Sequence, residues 1–160
     1  MAGTFQTLLA QDTISGQEGR ATQTIDGVIT DMFFLKNLEA TFNKNKVEVK
    51  TLGKRATQHK GIGWSGSGTM TIYYMTTEFR KMALKYAKTG VDTNFRINVT
   101  NNDPTSSIGA QTVVLYGVNL DSVILAKLDV DAEVLDEEMP FTFDDFDILD
   151  EFGKPVSFAQ

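Results

Sequence analysis

Apolar and polar side chains alternate with a period of two along several separate stretches of this chain, and that period commits most of it to β-strands. Over residues 34–43, Leu38, Ala40 and Phe42 fall on one side, with Asn37, Glu39, Thr41 and Asn43 on the other. Val47, Val49 and Thr51 then alternate with Lys46, Glu48 and Lys50, beyond a polar break at Asn43, Lys44 and Asn45. Over residues 65–74, Met70, Ile72 and Tyr74 oppose Ser67, Thr69, Thr71 and Tyr73. Phe95, Ile97 and Val99 alternate with Arg96, Asn98 and Thr100. Further strands are expected over residues 111–120 and 122–130, the second presenting Ile124, Ala126, Leu128 and Val130 on one side. The run Val113, Val114, Leu115, Tyr116 is apolar on both faces, the pattern of a central strand. Met139, Phe141 and Phe143 form a last strand, which Pro140 places at an edge. A short strand over residues 20–25 closes at an Asp26-Gly27 turn.

One segment has the other period. Phe79, Met82, Ala83, Tyr86 and Ala87 recur at helical spacing, with Thr76 or Thr77 available as N-cap, Glu78 at the positive end of the dipole and Gly90 to close the C-terminus. Strands, one helix, then more strands predict an antiparallel β-sandwich or partly closed barrel of about seven strands with one flanking α-helix. Residues 1–19 have little periodic apolar character and read as an arm. Residues 52–64, rich in Gly and Lys with few apolar side chains, read as a long loop.

The 160 residues suffice for one core, and at 41% apolar the chain is neither disordered in composition nor apolar enough in any window to span a membrane. The N-terminal residues show no basic leader followed by an apolar run, so synthesis in the cytoplasm without a secretory signal is expected. Charge is unevenly placed. Residues 1–127 carry fourteen Lys and Arg against ten Asp and Glu, whereas residues 128–160 carry eleven acids and one base, Lys154. Such asymmetry suits contact between copies or an acidic surface kept for a partner, against the plainer reading of a solvated tail.

Catalytic chemistry finds little material. There is no cysteine, and His59 is the single histidine, which excludes thiolate nucleophiles, sulfur-built zinc sites and multi-histidine sites within one chain. Gly61, Gly63 and Gly66 spell G-x-G-x-x-G, but a strand rather than a helix is expected after them. Asp129, Asp131 and Glu133 have calcium-loop spacing, but Val134 and Pro140 stand where glycine and glutamate are needed. No cofactor and no metal is expected. Lys44, Lys46, Lys50, Lys54, Arg55 and Lys60 offer phosphate contacts in principle; in a chain of net charge -6 they suit acids on a neighbouring copy better than duplex DNA.

The phrases DTISGQEGR, ATFNKNKVEVKTLGKRATQHK, GSGTMTIYYMT and VVLYGVNLDSVILAKLDVDAEVLDEEMPFTFDDFDI resemble the tail tube proteins of PBSX-like contractile phage tails and the related inner tubes of R-type bacteriocins. The resemblance runs from about residue 12 to residue 148. It implies a β-domain over residues 20–148, hexameric rings stacked into a hollow tube inside a sheath, and a loop over residues 52–64 that helps rings stack. The arm over residues 1–19 would touch neighbouring subunits, while the extension over residues 149–160 matches nothing in that family.

On this reading Lys54, Arg55, His59, Lys60, Trp64, Arg20 and Glu18 are contact candidates between rings or subunits. Asn37, Glu39, Thr41, Asn43, Ser67, Thr69 and Thr71 are candidates for the lumen. Asp129, Asp131, Asp136, Glu137, Asp144, Asp145 and Asp147 are candidates for an acidic surface facing the sheath or another subunit, in preference to the lumen. Implied partners are further copies of the chain, the sheath, the baseplate and tape-measure proteins, and DNA only in transit, with no membrane anchor and no enzymatic activity. The resulting object is a virion tail or tail-like particle. The alternatives are a non-polymerising baseplate or terminator relative with the same fold, and a β-barrel binding module whose acidic surface recruits a basic partner.

Overall fold

The computed structural model describes residues 7–155; the first part of the expected arm and the last part of the C-terminal extension lie outside the described residues. Eight strands and one α-helix appear among them: β1 (Gly19–Ile25), β2 (Val28–Asp31), β3 (Leu35–Val49), β4 (Gln58–Tyr73), α1 (Glu78–Thr89), β5 (Phe95–Asn102), β6 (Ala110–Leu120), β7 (Asp136–Phe143) and β8 (Asp145–Asp150). Hydrogen bonding follows the order β2-β1-β5-β6-β7-β4-β3, with β8 pairing β6, so the sheet is open and β2 and β3 are the ends of the path. The mainly antiparallel β architecture with a single helix is as the periodicity predicts.

The chain divides into two compact units. Unit 1 comprises Met1–Phe33, Phe95–Tyr116 and Phe146–Gln160. Here Asp26 (φ 51) and Gly27 (φ 82) make the two-residue left-handed turn that suits the twist of a hairpin, which folds Val28 back onto Ile25 and adds β2, a strand too short to show periodicity. β1 also pairs β5 from Gly19↔Asn101 to Thr24↔Arg96. Ala21, Met32, Phe95, Ile97, Val114 and Leu115 are its buried apolar residues. The arm is not loose over its second half. A 3-10 turn at Ala10–Asp12 is held where Ser107 donates to the Asp12 carboxylate (2.5 Å), and Asp103 accepts from the Ser15 amide (2.9 Å) and from Thr105 through both N–H and hydroxyl.

Unit 2 comprises Phe34–Asn94 and Gly117–Asp145. Leu38 pairs Met70, which pairs Met139; Ala40 pairs Gly68, which pairs Phe141. Phe34, Met70, Ile72, Phe79, Val118, Met139, Phe141 and Phe143 form its core. Gly68 is required by that packing: a Cβ there would meet the Glu39 carbonyl oxygen and lie 2.6 Å from the Phe141 ring. In α1 the N-cap is Thr77, though without a side-chain capping bond, and Gly90 adopts φ 74 and donates to the Tyr86 carbonyl (2.8 Å). Only Phe79 of the apolar stripe is buried, packed edge-on against Phe34; Met82 and Ala83 are half-buried and Tyr86 is 57% exposed.

Four sequence expectations change in unit 2. Asn43, Lys44 and Asn45 do not break the strand; a register shift between Asn45 and Lys46 absorbs the irregularity and β3 runs on to Val49. The expected loop over residues 52–64 shrinks to a connection over residues 50–57, because β4 starts at Gln58 and its glycines pair with the lysine-rich half of β3. β7 is not an edge: it pairs β4 along its length and meets β6 at Asn119↔Thr142 and Leu120↔Phe141, a contact short enough to leave the missing N–H of Pro140 unneeded. Residues 122–130 form no strand: the bond from Asp121 to the Pro140 carbonyl (2.9 Å) is the last of the ladder with β7, and the alternation that follows finds no backbone neighbour among the described residues.

Candidate functional site

The seven hydroxyl, amide and acid residues singled out from β3 and β4 come together. Asn37 stands opposite Thr71, Glu39 opposite Thr69, and Thr41 opposite Ser67, while Asn43 pairs Ser65 and donates from Nδ2 to the Ser67 hydroxyl (3.2 Å). Period two makes this inevitable once the register is set by Leu38, Met70 and Met139 on the other face. β7 widens the polar face, because Glu138 pairs Thr71, Pro140 pairs Thr69 and Thr142 pairs Ser67. Glu39, Thr41, Ser67 and Thr69 with Asp121 and Pro140 line an open depression of about 360 Å³. Glu138 and Thr142 were not among the lumen candidates, although the alternation of Phe141 and Phe143 already implied their side. Glu39 and Glu138 are the paired-strand acids of this face, Asp121 lies at its rim, and the cations at its end, Lys36 and Lys127, are tied to Asp136, which shares the Glu138 side of β7. The face can present hydroxyls and negative charge to whatever passes over it.

The far half of the β3–β4 hairpin has a different character. Lys46 pairs Gly61, Val47 pairs Lys60, Glu48 pairs His59 and Val49 pairs Gln58, and every one of these residues is exposed. His59 is therefore a strand residue opposite a carboxylate, and Gly61, Gly63 and Gly66 lie inside a strand rather than in a phosphate-binding turn. Lys54 and Arg55 occupy the connection. Trp64 is used within the subunit: its ring stacks on Phe42 (5.1 Å between centroids) and tilts against Phe143 (6.1 Å). In unit 1, Glu18 and Arg20 are exposed at the start of β1, where Arg20 pairs Thr100.

The acidic candidates separate into three groups. Asp129 and Asp131 are exposed on the irregular segment after β6, and Asp144, Asp145 and Asp147 are exposed at and beyond the end of β7. Asp136 sits between Lys36 (3.2 Å) and Lys127 (3.6 Å); the hydrogen bond from Lys36 is the main cause holding its carboxyl below the ordinary aspartate value, against partial desolvation. Glu137 is not on the surface. Its side chain is 0% exposed and accepts from Arg80 Nη1 at 2.6 Å, while that guanidinium also donates to the Ile124 and Thr76 carbonyls and lies 4.3 Å over the Tyr74 ring. The position follows from register, since Glu137 pairs Ile72 on the core face of β4. Among the described residues no group of three or more His, Cys, Asp or Glu is placed to hold a metal ion, and no helix is long and apolar enough to cross a membrane.

A family model described as phage tail tube protein matches residues 6–150. The phage-like element PBSX protein XkdM of Bacillus subtilis (strain 168) is 46% identical over 141 residues, covering 88% of this chain and 93% of that protein. Among solved structures, the tube terminating cap of the anti-feeding prophage superposes with a TM-score of 0.67 at 12% identity, over 92% of this chain and 98% of that one. A chain of the sheath-tube complex of the extracellular contractile injection system PVC, in its extended state, superposes with a TM-score of 0.64 at 11% identity, over 87% and 93%.

Proposed function

Because this chain belongs to the phage tail tube protein family, we propose that its copies assemble into stacked hexameric rings, forming the hollow inner tube of a contractile tail or tail-like particle. The observation that carries the reading is the polar face of β3, β4 and β7. A sheet with one apolar face needs a wet opposite face, and here that face holds hydroxyls, amides and the acids Glu39 and Glu138, while the lysines at its end, Lys36 and Lys127, are both paired with Asp136. Turned to a lumen, the face offers a polyanion acids and no unpaired cation, so DNA crosses without being held by charge. The open edge of β3 is a ready pairing surface, and ring closure removes it as an exposed edge.

In this arrangement the exposed end of the β3–β4 hairpin, with Lys54, Arg55, His59 and Lys60, serves contacts between rings, and the arm that includes Glu18 and Arg20 serves contacts between subunits. The acids of residues 144–150 face the sheath. The role is that of a passive, non-enzymatic conduit, made in the host cytoplasm and completed in the particle by sheath, baseplate and tape-measure proteins. Negative-stain microscopy of the purified chain over a range of salt and concentration tests this. Rings or tubes are expected, closed rings that never stack would shift the reading to a terminator, and a dispersed monomer under all conditions would overturn it.

A further inference from the structure

The cations on or beside the end of the β3–β4 hairpin, Lys44, Lys46, Lys50, Lys54, Arg55 and Lys60, are all exposed, and none has an ion-pair partner among the described residues. Within the same unit, residues 128–134 have the converse character. Asp129, Asp131 and Glu133 are exposed without a cation partner, and the side chains between them are apolar and wet: Leu128 and Val130 are 98% exposed and Val134 67%. The neighbouring cation, Lys127, is committed to Asp136.

This segment is anchored rather than adrift. Arg80 holds the Ile124 carbonyl at 3.2 Å, Lys127 donates to the Asp136 carbonyl at 2.7 Å, and a turn closed by Ala132 donating to the Asp129 carbonyl presents the exposed side chains. The hairpin end mirrors it, with Val47, Val49 and Ile62 exposed among its lysines. Each surface thus combines uncovered aliphatic side chains with unpaired charge, and the charges are opposite.

We propose, on the reading that copies of this chain assemble, that residues 128–134 of one copy seat the basic β3–β4 end of a second copy. Leu128, Val130 and Val134 meet Val47, Val49 and Ile62, while Asp129, Asp131 and Glu133 meet the lysines. Both surfaces are exposed in the single subunit, so the contact is made between copies, and a contact between two different patches of one chain propagates head to tail into rings or stacks. The charge-rich border makes assembly weaken as salt rises.

The test uses two full-length variants, Lys54→Glu with Arg55→Glu, and Asp131→Lys with Glu133→Lys. All four positions are exposed, so each variant keeps the far-UV spectrum and melting temperature of the unmodified chain. At low salt each alone should need at least a tenfold higher concentration to assemble, read by sedimentation and negative stain. An equimolar mixture should recover assembly, because the charge-reversed hairpin tip of one variant then meets the charge-reversed seat of the other, and the unmodified hairpin and seat also match. Leu128→Ser with Val130→Ser should weaken assembly without any change of charge. Normal assembly by either charge variant alone, or a folded mixture that stays dispersed, overturns the proposal. An unmodified chain that never assembles instead defeats the tube reading on which it rests.

Discussion

Arg80→Ala is the substitution whose cost the structure determines most directly. The Glu137 carboxylate is fully buried and its partner guanidinium is 14% exposed, so solvent screens the pair little. Glu137 Oε1 has no hydrogen-bond partner, and Oε2 depends on Arg80 at 2.6 Å. Removing the guanidinium leaves a buried charge with neither oxygen satisfied, a loss of about 3–5 kcal/mol. The lost contact with Tyr74 adds about 0.5–1 kcal/mol. A chain of this size melts about 2–4 °C lower per kcal/mol, so the midpoint should fall on the order of 10 °C. Urea unfolding followed by circular dichroism measures the free energy, with an unchanged m-value showing that the native state stays compact. Arg80→Met with Glu137→Met is the decisive control: with both charges gone and apolar volume restored beside Phe79, most of the stability should return. A single-variant cost below about 1 kcal/mol, or a double variant as unstable as the single, would refute the account. Arg80→Ala should also speed proteolysis within residues 121–135, because the Ile124 carbonyl loses its anchor.

Gly68→Ala places a methyl group against the Glu39 carbonyl and the Phe141 ring, and since a paired strand cannot shift its backbone it should cost about 1–3 kcal/mol in the same unfolding assay. The arm should show an acid dependence of definite sign. Asp103 is held below the ordinary aspartate value by the Thr105 hydroxyl first, then by the amides of Ser15 and Thr105, so its contribution is full above the unfolded value of about 3.9 and is lost as pH falls through the lower folded value. Hydrogen exchange at Ser15 and Thr105 should accelerate over that window, and Asp103→Asn should accelerate it already at neutral pH; exchange in Asp103→Asn no faster than in the unmodified chain would remove Asp103 from the docking of the arm.

The polar face of β3 and β4 was legible because its opposite side is apolar, and burial of Met70 and Met139, with Leu38 half-buried beside them, allows one register only. The helix was legible in the same way through Phe79, and Gly90 ends it as its position implied. Glu137 was not, because an acid in a charged stretch reads as surface until pairing sets it opposite Ile72 with Arg80 above. The largest misreadings are complementary. Residues 58–64 look like loop because glycine and lysine have no core to fill, yet they are paired strand held by the β3 backbone rather than by burial. Residues 122–130 look like strand because they alternate, yet no backbone pairs with them in the subunit. In both places the sequence pattern and the environment within one subunit disagree, leaving a strand pair without a core and an apolar pattern without a cover. Leu128 and Val130 have no cover from their own copy, and Val47, Val49 and Ile62 on the hairpin end are only partly covered. Patterns selected for burial but exposed in the subunit are what a chain carries when its final environment is another copy of itself, and the mixing of oppositely charged variants asks directly whether these two surfaces supply that environment to each other.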